Sequence, residues 1–239
     1  YGITITTRDG SNNTIDSVIP RVAPVEAVLI SGTVDESLSF IVAAVGAGSS
    51  HCGFNTTVAS TATSIPWGQF AATNTFYYAA QNLTVSTNAT SGYAVTIQEN
   101  DQMGRNGNVC TGVTPSAGEY TYGSGTCIKD TVCSAATPCT QAVMGDWSAA
   151  SGYTGLGYSL ATTSGTTAAS FFYNQGSRTF NAKQLPDKGE GAEAVATIMS
   201  ASAPVNGDAI DVCYKIAIIG TQPSGYYYNI AKYTVTATF

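Results

Sequence analysis

The sequence predicts an all-β protein whose strands form a jelly-roll-type β-sandwich, and three observations support this. Short runs rich in β-branched and aromatic residues recur along the 239 residues, and many alternate between apolar and polar positions. Clusters of Gly, Ser, Thr and Asn separate the runs, as turns separate strands. No segment has the sustained 3.6-residue periodicity of a helix. Many short strands joined by turns are typical of sandwiches and jelly rolls.

The first 20 residues read as an extension that precedes this sandwich, which we expect to occupy residues 21–239. Residues 1–7 alternate apolar and hydroxyl side chains, a polar turn follows at 8–13, and a second apolar patch ends the segment. A lone strand is unstable in water. It therefore pairs either with the protein's own sheet or, as a donor strand, with a neighbouring subunit, and Gly10 to Asn13 would then be the hinge. The predicted donor-strand interface residues are Tyr1, Ile3, Ile5, Ile15, Val18 and Ile19.

The remaining chain supplies the strands of the predicted sandwich. Residues 26–34 (EAVLISGTV) and 38–45 (LSFIVAAV) are separated by three polar residues and are expected to form a hairpin. The last segment, 226–239, alternates apolar residues with Lys and Thr. The other predicted strands are 75–86, 92–98, 155–161, 170–173, 195–200 and 210–219.

Six cysteines with irregular spacing favour disulfides over a zinc site. Disulfides indicate an oxidising compartment. Four of the cysteines lie in residues 101–150, which we interpret as a disulfide-stapled insertion with few apolar runs. Six cysteines allow fifteen pairings. Of these we choose Cys52 with Cys213, Cys110 with Cys127, and Cys133 with Cys139.

Composition restricts the compartment and the partners. Charged residues make up 10% of the chain, against about 25% in typical soluble domains. Hydroxyl and amide side chains must therefore form the polar surface, as suits a protein outside the cell. The nine Lys and Arg residues do not cluster, which excludes nucleic acid as a main partner. No run reaches the roughly 18 to 20 apolar residues of a membrane span. A first residue of Tyr favours removal of a signal peptide, and hence secretion.

Catalytic chemistry finds little support in the sequence. The only histidine, His51, lies in a predicted loop beside Cys52, and no GxSxG, HExxH or phosphate-binding glycine loop is present. We therefore expect no enzymatic activity and no cofactor. Lys215 and Lys232 fall within predicted strands, where we expect them at sheet edges with their ammonium groups in water.

Two kinds of modification or ligand remain as weaker expectations. We expect no bound metal, although carboxylate oxygens in loops make calcium a candidate ligand. Four Asn-x-Ser/Thr sequons permit glycosylation. Aromatic residues such as Trp67 and Trp147 motivate an alternative function, a cell-surface adhesin or glycan-binding module that recognises host or environmental surface glycans. The calcium candidates are Glu99, Asp101, Asp208 and Asp211, and the sequons are Asn12, Asn55, Asn82 and Asn88.

Four stretches of the chain carry a resemblance to known proteins. They are LTVSTNATSGYAVTIQEN, GLGYSL, AVATIMSASAPVNGDAIDVCYKIAI and YNIAKYTVTATF. These stretches resemble secreted, Thr-rich β-sandwich surface proteins of candidate-phylum bacteria. More loosely, the organisation is similar to TasA/camelysin-type biofilm fibre proteins and archaeal bundling pili, in which a jelly-roll subunit donates a terminal strand to its neighbour. The resemblance implies a structural subunit of an extracellular filament or pilus, a homopolymer whose partners are identical subunits.

Overall fold

The computed structural model describes residues 2–21, 23, 26–110, 127–165, 168–188 and 193–239. The chain divides into two compact units, Tyr1–Asp35 and Glu36–Phe239. No helix in the described ranges is long and apolar enough to cross a membrane. The described residues are almost entirely strands and connections, with a single short 3₁₀ turn at Gln175–Ser177.

The strands are, in chain order, β1 (Ile5–Arg8), β2 (Thr14–Val18), β3 (Leu38–Ala44), β4 (Ser50–His51), β5 (Phe54–Asn55), β6 (Tyr77–Thr87), β7 (Tyr93–Glu99), β8 (Met103–Arg105), β9 (Cys127–Ile128), β10 (Gly145–Asp146), β11 (Gly155–Ser164), β12 (Ala168–Ala169), β13 (Asn181–Ala182), β14 (Ala196–Ala201), β15 (Val205–Ala217), β16 (Tyr227–Tyr228) and β17 (Ala231–Ala237). All paired strands are antiparallel.

The N-terminal unit contains a β-hairpin made of β1 and β2, in which Ile5 lies opposite Val18. The Asp9 side chain closes the turn, since one carboxylate oxygen accepts hydrogen bonds from the backbone N–H of Ser11 (2.9 Å) and of Asn13 (2.8 Å). The hydrogen bonds from Asn13 are the largest cause of a lowered pKa of Asp9. Residues 10–13 are therefore the tip of a closed turn between β1 and β2.

The last segment of the N-terminal unit differs from its prediction. Residues 26–34 are extended but pair with no other strand, so the predicted hairpin with 38–45 does not form. Strand β3 (Leu38–Ala44) pairs with β6 instead, with Phe40 opposite Val85. The three residues between the runs do not reverse the chain, because the partner of β3 is β6, which lies 37 to 49 residues further along.

The second unit contains a β-sandwich of two four-stranded sheets, with strand orders β11-β15-β6-β3 and β12-β14-β7-β17. Eight strands in two antiparallel sheets match the strand count of a jelly roll. Long ladders hold each sheet together, since β15 and β6 pair from Val205–Thr87 to Ile216–Tyr77. Inward-facing apolar residues of both sheets form one core. The predicted all-β sandwich is confirmed.

One predicted strand, 170–173, is displaced. The paired residues are those of β12, two residues earlier, and they lie against β14. Phe171 still reaches the core from the segment that follows β12, where it packs edge-on against Tyr158 with ring centroids 5.5 Å apart. The apolar pattern marked a core contact there and not a strand.

A second apolar cluster covers the outer face of the sheet that contains β15 and β6. It includes the buried Trp147 and the disulfide Cys133–Cys139, so the predicted insertion at 101–150 contributes to a core. All six cysteines form the chosen pairs, Cys52–Cys213, Cys110–Cys127 and Cys133–Cys139. Three disulfides suit an oxidising compartment such as the extracellular space.

Candidate functional site

The most exposed apolar side chains of the described residues lie in one segment, 26–34. Val28, Leu29, Ile30 and Val34 are 84 to 91% exposed. No hydrogen bond joins the backbone of 26–34 to another residue in the described part of the chain. Exposed apolar groups in series mark interaction surfaces, and a strand with unpaired backbone groups is a template for pairing.

The predicted interface residues of the first 20 positions lie in and beside the β1–β2 hairpin. Ile3, Ile5, Ile15, Val18 and Ile19 are 54 to 70% exposed, and Tyr1 lies outside the described residues. The hairpin has a bulge between Thr7 and Arg8 and no buried core residue. An isolated two-stranded hairpin of this kind is marginally stable. Because β1 already uses one edge to pair with β2, its backbone is less available than that of 26–34.

The sandwich core is closed on one side and open on the other. On the closed side, the inward residues of the edge strand β11 are 0 to 4% exposed, as Leu156, Tyr158 and Leu160 show. On the open side, the edge strands are β3 and β17. Their inward residues are only partly buried, namely Phe40, Val42, Tyr233 and Val235.

A groove of about 970 Å³ lies at one end of the sandwich, against β17. The loop 62–70 and the segment 222–231 form its walls, and core residues such as Tyr214 and Leu185 form its floor. Tyr233 connects the two sheets there, because its hydroxyl lies 2.6 Å from that of Tyr214 and donates to Gln81 Oε1 at 3.0 Å. None of the residues lining the groove carries a charge.

His51 belongs to a His–Asp pair and not to a triad. Its Nδ1 lies 2.6 Å from Asp211 Oδ2, and Asp211 also accepts a hydrogen bond from Asn82 Nδ2 at 2.9 Å. Within the described ranges, no hydroxyl group is hydrogen-bonded to His51 Nε2. The contact joins β4 to the central strand β15.

The four calcium candidates divide into two pairs. Asp208 and Asp211 lie on β15, whereas Glu99 ends β7 and Asp101 accepts hydrogen bonds from the backbone of Gln102 and Cys110. In the part of the chain that the structure describes, no three His, Cys, Asp or Glu side chains form a group that could hold a metal ion.

Glu99 instead belongs to a buried group of carboxyl side chains with Asp130, Asp187 and Glu193, which the sequence did not indicate. Burial, and then repulsion from Asp130 and Asp187, raises the pKa of Glu99 well above its ordinary value. The pKa of Asp130 is raised first by burial and then by Asp187 and Glu193. The folded state therefore retains protons that the unfolded state releases. The stability that these two groups contribute is complete below the ordinary carboxyl pKa and is lost as the pH rises through the folded-state values.

Lys215 is buried in the central strand β15, so its predicted position at a sheet edge is wrong; Lys232, on the edge strand β17, is exposed as expected. The Lys215 ammonium group donates to the Trp147 carbonyl at 2.5 Å. It lies 3.6 Å from the ring centroid of Phe76 and 4.2 Å from that of Phe180. The rings of Phe54, Tyr78 and Trp147 complete an aromatic enclosure. Burial lowers the pKa of Lys215 to about 7, and Asp146 acts in the opposite direction.

This lowered pKa makes stability depend on pH, which Lys215→Met will reveal. Above pH 7 the folded state binds fewer protons at this site than the unfolded state, so wild-type stability rises with pH, by about 1.4 kcal/mol per pH unit for one proton. We expect the unfolding free energy of wild type to gain about 3 kcal/mol relative to Lys215→Met between pH 7 and 9.5, by the same relation. Urea titrations at several pH values measure the difference. Glu99 and Asp130 are present in both proteins, so their opposite effect on the pH dependence of stability cancels. A difference in unfolding free energy that stays constant with pH would contradict the lowered pKa of Lys215.

The structure also shows the burial and contacts of the two tryptophans and of three sequon asparagines. Trp147 is fully buried, with its indole N–H donating to the Tyr153 carbonyl at 2.6 Å, so its assignment to a glycan-binding surface is wrong. Trp67 lines the groove and is half-buried. Among the sequons, Asn12 and Asn55 are exposed, whereas the Asn82 amide is held by Thr163 and Asp211.

The groove was missed because its walls form only when distant segments meet. A signal was nevertheless present, since both walls are charge-free segments that contain aromatic residues, ATSIPWGQF at 62–70 and QPSGYYYNIA at 222–231. Comparisons with known proteins add no relative, because no protein-family model, curated protein or solved structure matches the chain.

Proposed function

We propose that this protein is a structural subunit of an extracellular filament or pilus, which polymerises when a strand near the N-terminus of one subunit pairs with the sandwich of an identical neighbour. One observation carries the proposal: residues 26–34 form an apolar, extended segment, exposed along its whole length, with no backbone partner among the described residues. Leaving such a segment in water forgoes the free energy of burying four large apolar side chains, each about 1.5 to 3 kcal/mol.

Strand addition satisfies both requirements of this segment at once. Pairing with a sheet edge supplies partners for its backbone N–H and C=O groups, and the alternation of side chains directs one set into a core. Val28, Ile30 and Val34 share one face of the strand, with Gly32 between them. In the proposal these residues enter the neighbour, and the hairpin residues Ile3, Ile5, Ile15, Val18 and Ile19 form a secondary contact of the same interface.

The rest of the molecule is consistent with a structural role. The disulfides strengthen a subunit that leaves the cell, and among the described residues no hydroxyl group is hydrogen-bonded to the imidazole of His51. The proposal includes secretion after signal-peptide cleavage, a homopolymer, no cofactor and no enzymatic activity.

Trp67 supports a second candidate function, a glycan-binding adhesin. It lines the charge-free groove together with Tyr226 and Tyr228, whose ring centroids lie 5.5 Å apart. A glycan array tests this alternative directly. Binding that disappears in Trp67→Ala supports it, and an array without signal contradicts it.

The filament proposal is tested by following the oxidised full chain as its concentration increases. We expect static light scattering to rise above a threshold concentration and electron microscopy to show fibres of uniform width. Deleting residues 1–35 removes the donor unit, leaves the core and all three disulfides, and should leave monomers at every concentration. A full-length chain that stays monomeric at millimolar concentration, or a truncated chain that still forms fibres, would overturn the proposal.

A further inference from the structure

We infer that the acceptor site for residues 28–34 is the charge-free groove at the far end of a second copy's sandwich, so that subunits join head to tail. This inference rests on the proposed function and specifies its partner surface. It follows from the open side of the sandwich, from the chemistry of the groove and from the position at which the chain enters the sandwich.

The open side lacks a cover that the closed side has. The edge strands β3 and β17 lie on the same side, because β3 neighbours β6, β17 neighbours β7, and a tight turn joins β6 to β7. Val42 and Tyr233 on these edges stay partly exposed, whereas Leu160 and Tyr158 on the opposite side are fully buried. One more strand on the open side would bury what the chain itself leaves uncovered.

The lack of charge on both surfaces supports residues 28–34 as the segment that binds to the open side. The groove against β17 has no charged residue among those that line it, and residues 27–34 contain no charge. Desolvating charged groups is the main penalty for entry into an apolar site, and neither surface carries such groups. The amide of Gln69 and the hydroxyls of Tyr226 and Tyr228 give the groove polar groups that can bond an inserted backbone. The free edge of β17 supplies the remaining ladder.

The direction of assembly follows from where the chain enters the sandwich. Leu38 pairs with Thr87, beside the turn between β6 and β7. The groove lies at the other end, where Ala231 pairs with Glu99 and where Gln81, the partner of Ala44, lines the wall. Donor and acceptor are therefore different surfaces, and the chain leads from the donor segment into the end of the sandwich opposite the groove. Such a contact is heterologous and, when repeated, produces an open filament.

A photo-crosslinking experiment on the full-length protein tests the acceptor site. Benzoylphenylalanine replaces Ile30, and isotopically light and heavy chains are mixed as monomers before assembly and irradiation. We expect mass spectrometry to find crosslinks between light and heavy chains, from position 30 to residues 62–70 and 222–231. Fibres whose crosslinks join position 30 to other surfaces, or to the groove of the same chain, would overturn this inference while the filament proposal survives. Absence of fibres from the unmodified chain would overturn both.

A charge in the groove provides a second, independent measurement. Tyr226 lines the groove and is 72% exposed, so Tyr226→Lys should leave the monomer folded. We expect it to raise the concentration needed for assembly at least tenfold. Val143→Lys is the matched control, because Val143 is 57% exposed and does not line the groove. Equal assembly of the two variants would contradict the assignment.

Discussion

Ile30→Asp is expected to abolish assembly at micromolar concentration, whereas Ile15→Asp is expected to leave it within a few-fold of wild type. In the proposed interface the Ile30 side chain becomes buried, and losing that burial costs about 2 kcal/mol. Desolvating an unpaired carboxylate costs several kcal/mol more. Since each 1.4 kcal/mol is a factor of about ten, the threshold concentration should rise at least a hundredfold. Light scattering against concentration measures it.

The two substitutions form a matched pair. Ile15 is 70% exposed and Ile30 is 91% exposed, so neither change should shift monomer stability by more than about 0.5 kcal/mol. Thermal melts monitored by circular dichroism verify that point. If Ile15→Asp blocked assembly and Ile30→Asp did not, the hairpin would be the donor, as the first 20 residues suggested. If both variants formed fibres, strand donation by the N-terminal unit would be wrong.

Removing the Cys52–Cys213 disulfide, in the variant Cys52→Ala/Cys213→Ala, is expected to cost the monomer about 5 kcal/mol of unfolding free energy. The two cysteines are 161 residues apart in sequence, so the crosslink restricts a large part of the unfolded chain. The Cys133–Cys139 disulfide spans a sequence separation of only 6, for which the loop-closure relation gives about 2 kcal/mol. Urea unfolding of both double variants under non-reducing conditions measures the difference.

The comparison holds packing nearly constant, because all four cysteines are buried in the same apolar cluster. The difference of roughly 2 to 3 kcal/mol therefore reports loop length. A larger loss from Cys133→Ala/Cys139→Ala would show that local strain or packing, and not loop closure, determines how these bonds stabilise the fold.

The strands that sequence patterns predicted well are those in which one face is buried and the other is not. Along β7 and β17, alternation is clear because Val95 and Tyr233 face the core while Thr96 and Lys232 face water. The disulfides Cys110–Cys127 and Cys133–Cys139 could also be predicted from the sequence, since short separations favour pairing within a loop.

Residues 26–34 are rich in β-branched residues, yet the hairpin predicted for them does not form. Such a composition favours a strand, and it carries no information about whether the partner strand belongs to the same chain. The structure leaves that partner unassigned within the described residues, which is why the segment became a candidate for assembly.

Lys215 and Trp147 were misplaced for a different reason. A lysine in a strand is usually at an edge, and only the tertiary arrangement brings Phe76, Phe180 and the Trp147 carbonyl around its ammonium group. The four buried carboxyl side chains, Glu99, Asp130, Asp187 and Glu193, likewise come from segments that are separate in sequence and meet only in the folded chain. Contacts between residues more than 30 positions apart, such as Lys215 and Phe76, cannot be predicted from local pattern.

If the proposed fibre is placed under tension, the Cys52–Cys213 bond has a mechanical consequence. A pulling force transmitted through the donor segment enters the sandwich at Leu38 and tends to peel the edge strand β3 away from β6. Peeling stops at Cys52, because that residue is covalently tied to Cys213 in the central strand β15. Only residues 38–52 can then extend, by at most about 50 Å. Each subunit would act as a short extensible link with a covalent stop, and chemical reduction would convert it into one that unravels under load.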